Sequence, residues 1–104
     1  MDVRVRGFDW DDANRAKCRK HGLSLNEIES LFRHPLAVFP DPAHSTSETR
    51  FKAIGRTDDG RRVLIVFTLR TRARDELIRP ISARYMHAKE IRHYEKEAAK
   101  AEKR

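Results

Sequence analysis

The chain has 104 residues, room for one ordinary domain built on a single core. Its 23 Lys and Arg against 16 Asp and Glu leave a formal charge of +7, the footprint of a protein that meets a polyanion such as a nucleic acid. No run approaches the roughly eighteen apolar residues of a membrane span, and the start has no apolar stretch of signal-peptide length. A lone cysteine, Cys18, allows no internal disulfide, so a cytoplasmic protein with no membrane contact is expected.

Val3 to Trp10 predicts a first strand, with Val3 and Val5 alternating with Arg4 and Arg6. Asp11 or Asp12 then caps a helix that closes at Lys20-His21-Gly22, where glycine suits a left-handed terminus. A second helix carries a capping box in Ser24 and Glu27 and a hydrophobic staple in Leu23 and Ile28. Leu25, Ile28, Leu31 and Phe32 share its apolar face, and Pro35 stops it.

Leu36 to Phe39 predicts a short strand, and Ala43 to Thr49 a loop. Arg50–Arg56 and Val63–Arg70 flank Asp58-Asp59-Gly60, a hairpin turn signal. Val63 to Phe67 is apolar on both faces, which points to a central strand. Arg72 to Glu76 is expected as a loop, Leu77 to Ala83 as the last strand, and the chain from about Met86 as helix with Ile91, Tyr94 and Ala98 on one face. About 97–104 should form a frayed helical tail. The order, two helices, a run of antiparallel strands and a closing helix, predicts one α+β domain over 1–104.

Several blocks together resemble the BrnT toxin family: Phe8-Asp-Trp-Asp-Asp-Ala-Asn14, Lys20-His-Gly-Leu-Ser24, Asp41-Pro42, Glu48-Thr-Arg50 with Gly55-Arg-Thr57, Phe67-Thr-Leu-Arg70, and Ile81-Ser-Ala-Arg84 followed by Glu90 and Tyr94. No single block is specific; their order and spacing from about Phe8 to Tyr94 carry the resemblance. Cys18 and Pro80 look atypical for the family. The resemblance implies a RelE-like fold with two N-terminal helices packed on a small antiparallel sheet. It also implies an RNA-cleaving type II toxin that inhibits translation and is neutralised by a ribbon-helix-helix antitoxin (BrnA-like). Operator DNA is then met only through the antitoxin, and the complex allows a toxin dimer.

A metal-free ribonuclease turns the RNA's own 2′-hydroxyl on the adjacent phosphate. It must remove that proton, protonate the leaving oxygen and stabilise the added negative charge. The planar guanidinium fork suits the last task, which singles out Arg50, Arg70 and Arg84 at or near predicted strand ends. Each also fits a solvated surface arginine. His21 is the acid–base candidate, because histidine is the side chain whose ordinary titration falls near neutrality; it equally fits a cation at a helix C-terminus. Glu48 is a second candidate base, or the group that orients Arg50. Lys20, Arg72, Arg74 and Arg79 are expected to contact RNA phosphates.

His21, His34, His44, His87 and His93 lack metal-ligand spacing, so neither a metal nor a cofactor is expected. Two other readings compete. A helix-turn-helix with Gly22 in the turn would place Glu27 and Glu29 against DNA phosphates, which opposes binding. A non-catalytic basic binding module remains open on residues alone.

Overall fold

The computed structural model describes residues 6–102. Its elements run α1 (Asp12–Arg19), α2 (Leu25–Leu31), β1 (Ala37–Pro40), a 3-10 turn (Pro42–His44), β2 (Phe51–Arg56), β3 (Arg62–Arg72), β4 (Asp75–Tyr85) and α3 (Ala88–Glu102). The four strands form one antiparallel sheet in the order β1-β2-β3-β4. The α+β class and the helix order are as the sequence predicts.

Alternation along the strands divides the sheet into two faces. Ala53, Val63, Ile65, Phe67, Ile78 and Ala83 face the helices and are buried with Cys18, Leu23, Ile28 and Leu31. Phe67 anchors this core, edge-on to Phe32 at 5.4 Å and stacked with Phe51 at 5.5 Å. Burial pushes the Cys18 thiol up to about 11, which keeps it an unreactive packing residue. Between these residues, Lys52, Ile54, Leu64, Val66, Ser82 and Arg84 turn to the opposite face, which α1 and α2 leave uncovered.

Both capping boxes form. Ser24 and Glu27 exchange the expected bonds at 3.0 Å each, and Leu23 and Ile28 are buried beside them. For the first helix the cap is Asp11, with Asn14 as its reciprocal partner. The Asn14 amide nitrogen also donates to the Asp9 and Pro80 carbonyls at 2.9 Å each. The buried Asn14 therefore joins the N-terminal segment, the start of α1 and β4.

Three expectations change. Of the predicted first strand, Val3 to Val5 lie outside the described residues. The remainder forms a single parallel bridge, Phe8 to Ile78, with backbone bonds from Arg6, Gly7 and Asp9 onto β4. The expected Arg72–Glu76 loop is instead a tight turn: Ala73 and Arg74 take φ of 49° and 70° and the strands pair up to Arg72 and Asp75. Such primed hairpin turns usually use Asn or Gly, so the sequence signal was absent. Finally, α2 ends at Leu31, before Pro35. Pro80 finds its place opposite Phe67 next to a β-bulge, where a strand tolerates a residue without an N–H.

Asn14→Ala leaves two carbonyls and the Asp11 N–H without their partners. It should destabilise the fold by about 2–3 kcal/mol, which a denaturant titration at constant slope would register as a lower midpoint.

Candidate active site

At the β4 margin of the uncovered face, side chains from the end of α1 and just beyond it reach a cavity of about 350 Å³. Lys17 and His21 enter from the helix side, Lys52, Leu64 and Val66 from β2 and β3, Ser82 and Arg84 from β4, and Asp41 from the loop after β1. His21, Lys17 and Arg84 are thus brought together from positions more than sixty residues apart, with Lys52 as a further cation. Asp41 is 2 % exposed with Lys52 Nζ 3.8 Å away, so one acidic group sits low in an otherwise cationic wall.

Arg84 is held by a fork. Its Nη1 and Nη2 donate to Glu90 Oε1 and Oε2 at 2.7 and 2.8 Å. The Arg84 bonds hold the Glu90 carboxyl down to about 2, helped by the His87 backbone N–H that donates to the same carboxylate at 3.0 Å. The same bonds raise the Arg84 guanidinium. A fork through both Nη atoms fixes the guanidinium plane and leaves its Nε edge for a second acceptor such as phosphate.

The other predicted residues form a separate cluster. Glu48 accepts from Arg70 Nη2 at 3.0 Å, and Arg50 Nη2 lies 3.6 Å from its other oxygen. Glu48 thus lies nearer Arg70 than Arg50, the arginine the sequence suggested it would orient. The Nε–H groups of Arg50 and Arg70 are buried and have no acceptor among the described residues. Arg50, the residue before β2, precedes Lys52 by one alternation, so this cluster continues the same open face. Arg84 pairs through Leu64 with Ile54. From Arg50 to Ile54 the strand advances about 13 Å, and the two strand spacings between β2 and β4 add about 10 Å across. The two arginine clusters therefore lie well apart on that face.

The expected RNA contacts divide. Lys20 is exposed as the residue after α1, and Arg74 is exposed in the β3–β4 turn. Arg72 donates to Asp9 at 3.2 Å while staying exposed. Arg79 is 14 % exposed and spends its guanidinium on Asp11 at 2.7 Å and Asp9 at 3.6 Å, clamping the N-terminal segment to β4. Sequence reasoning passed over Lys52, Asp41 and the partnership of Glu90 with Arg84. Lys52 had a signal, as a charged residue alternating with buried Ala53; the strand-to-helix spacing of Arg84 and Glu90 matches no local rule.

Elsewhere, a cavity of about 340 Å³ beside α2 is lined by Glu27, Asp58 and Asp59, whose charge repels phosphate. Glu27 accepts from the Tyr85 hydroxyl and Glu29 from Trp10 Nε1, so the acidic residues of α2 anchor it to the body of the protein. Among the described residues no group of three His, Cys, Asp or Glu is arranged to hold a metal, and no helix is long and apolar enough to cross a membrane.

The chain is a small α+β domain with a cationic, histidine-bearing pocket beside an open sheet face. The model of the family described as "Ribonuclease toxin, BrnT, of type II toxin-antitoxin system" matches residues 10–90, and the chain belongs to that family. Membership makes RNA its substrate class and gives it a cognate antitoxin. No individual curated protein matches the chain.

The Glu90 carboxylate is depressed in the fold, so the stability it contributes is present above its ordinary value of 4.5 and is lost as pH falls toward about 2. Thermal melts across that window should fall less steeply with acid for Glu90→Gln than for the parent; identical acid limbs would show that the fork contributes nothing.

Proposed function

We propose that this chain is a cytoplasmic, metal-independent endoribonuclease whose cleavage centre is the His21–Arg84 pocket. The observation that carries the reading is the meeting of an imidazole from the end of α1 with the oriented Arg84 guanidinium and two lysines in one cavity. The substrate's 2′-hydroxyl attacks the neighbouring phosphorus and the 5′-oxygen leaves. Arg84, with Lys17 and Lys52, stabilises the charge that grows on the non-bridging oxygens. His21 takes the hydroxyl proton or delivers one to the leaving oxygen, and water carries the other of these two protons.

The Glu48–Arg50–Arg70 cluster grips the strand further along, through the partly exposed guanidiniums of Arg50 and Arg70 that Glu48 orients. Lys20, Arg72 and Arg74 add exposed phosphate contacts around it. Cleavage of cellular RNA halts translation. A ribbon-helix-helix antitoxin relieves this, and through it the complex, with the toxin as a dimer, reaches operator DNA.

Arg84→Ala should lower the cleavage rate on the order of 10²–10³-fold, as for loss of one donor to a developing charge, a loss that persists when the rate is expressed per folded molecule. His21→Gln should lose activity and flatten the pH–rate profile near neutrality, and EDTA should change nothing. Expression of the parent should arrest bacterial growth, with relief by the cognate antitoxin. Full activity of Arg84→Ala, or strict dependence on a divalent ion, would overturn the assignment.

Affinity for single-stranded RNA should fall steeply with salt, each neutralised phosphate contributing about −0.7 to the log–log slope. Removing the exposed Arg74 should make that slope shallower. A flat response between low and moderate salt excludes phosphate-led binding.

A further inference from the structure

We propose that the groove between α3 and the open sheet face is a stacking subsite for one unpaired nucleotide of the RNA, beside the phosphate held at Arg84. The proposal rests on the ribonuclease reading and adds the ligand chemistry of a second cavity. The groove encloses about 750 Å³, within the ~300–1,000 Å³ of small-ligand sites. Ile54 and Leu64 line it from the sheet, and Met86 and Tyr94 from the α3 side, with Lys52 and Lys89 among its polar residues.

Three observations favour a nucleotide. The first is continuity: Lys52 and Leu64 line both this groove and the His21–Arg84 cavity, so a chain anchored at Arg84 passes directly from one to the other. The second is charge. The groove's two carboxylates are already matched, Glu90 by Arg84 at 2.7 Å and Glu97 by Lys100 at 3.6 Å, as Lys52 is by Asp41 at 3.8 Å, which leaves Lys89 to set its sign.

The third is the ring of Tyr94. It is half-buried, and the Arg62 guanidinium lies 5.3 Å from its centroid without lining the groove, so a ring surface is left for a base. Stacking on an aromatic ring with cations nearby is how single strands are held without sequence readout. The α3 helix then has two tasks: its first turn orients Arg84 through Glu90, and its next turn supplies the stacking ring. An apolar protein segment would meet the same floor, but it has no use for the lysines or for the wall shared with a phosphate pocket.

The test uses fluorescence anisotropy with short single-stranded oligonucleotides carrying 2′-fluoro groups, which cannot be cleaved by 2′-hydroxyl attack. Each of a series has one abasic residue, walked along the strand. Tyr94→Leu, which keeps an apolar side chain on α3, should weaken binding of the intact strand about ten- to a hundred-fold. One abasic position should weaken binding to the parent protein comparably and have no further effect on Tyr94→Leu, the signature of a shared contact.

Purely multiplicative effects at every position, or unchanged affinity of Tyr94→Leu, overturn the subsite. So does a Tyr94→Leu protein that binds RNA like the parent but no longer binds its antitoxin, which gives the groove to the antitoxin. Coupling without cleavage of ordinary RNA would instead sink the ribonuclease reading and leave the subsite standing.

Discussion

One buried carboxamide sets the geometry on which the site depends. Asn14 completes the cap of α1 and donates to carbonyls of the N-terminal segment and of β4. Parallel pairing along the β4 edge reaches Ile78, and Asn14 takes the carbonyl of Pro80 just beyond it. From Asn14 to His21 the chain advances about 10 Å at helical rise. From Pro80 to Arg84 the strand advances about 13 Å. A helix pinned to the strand at this point therefore brings His21 level with Arg84, and the pocket follows from the pin.

The arginines of this basic chain do different kinds of work, and carboxylate partners sort them. Arg79 is largely buried between Asp9 and Asp11 and holds the fold. Arg84 and Arg70 each lean on one carboxylate, Glu90 or Glu48, yet stay partly exposed, at 35 % and 39 %. A partly exposed pair is worth little to stability because solvent screens it. What it supplies is orientation, which in the proposed site lets a guanidinium meet phosphate without first losing its own freedom.

Much of the fold was legible where local chemistry dictates structure. The Ser24–Glu27 box, the Leu23–Ile28 staple, the Asp58-Asp59-Gly60 turn and the doubly apolar Val63–Phe67 run each carry their own instruction. The Ala73–Arg74 turn does not, because two non-glycine residues adopt positive φ there under the demand of the paired strands. The site was legible as a set of residue types and not as an arrangement. His21, Arg84, Glu48, Arg50 and Arg70 stood out by chemistry, but their division into two clusters is set by strand register. The burial of Arg79 depends on partners at the far end of the chain, beyond the reach of any periodicity.

The central claim, that the scissile phosphate sits between His21 and Arg84, is tested most directly by the structure of the chain with an RNA strand made uncleavable by 2′-deoxy substitution. The account predicts a phosphate in the cavity between β4 and the end of α1, with the Arg84 Nε edge and the His21 ring both within hydrogen-bonding distance of its oxygens. A strand whose substituted linkage lies instead against Arg50 and Arg70, with His21 and Arg84 touching no phosphate, would contradict it.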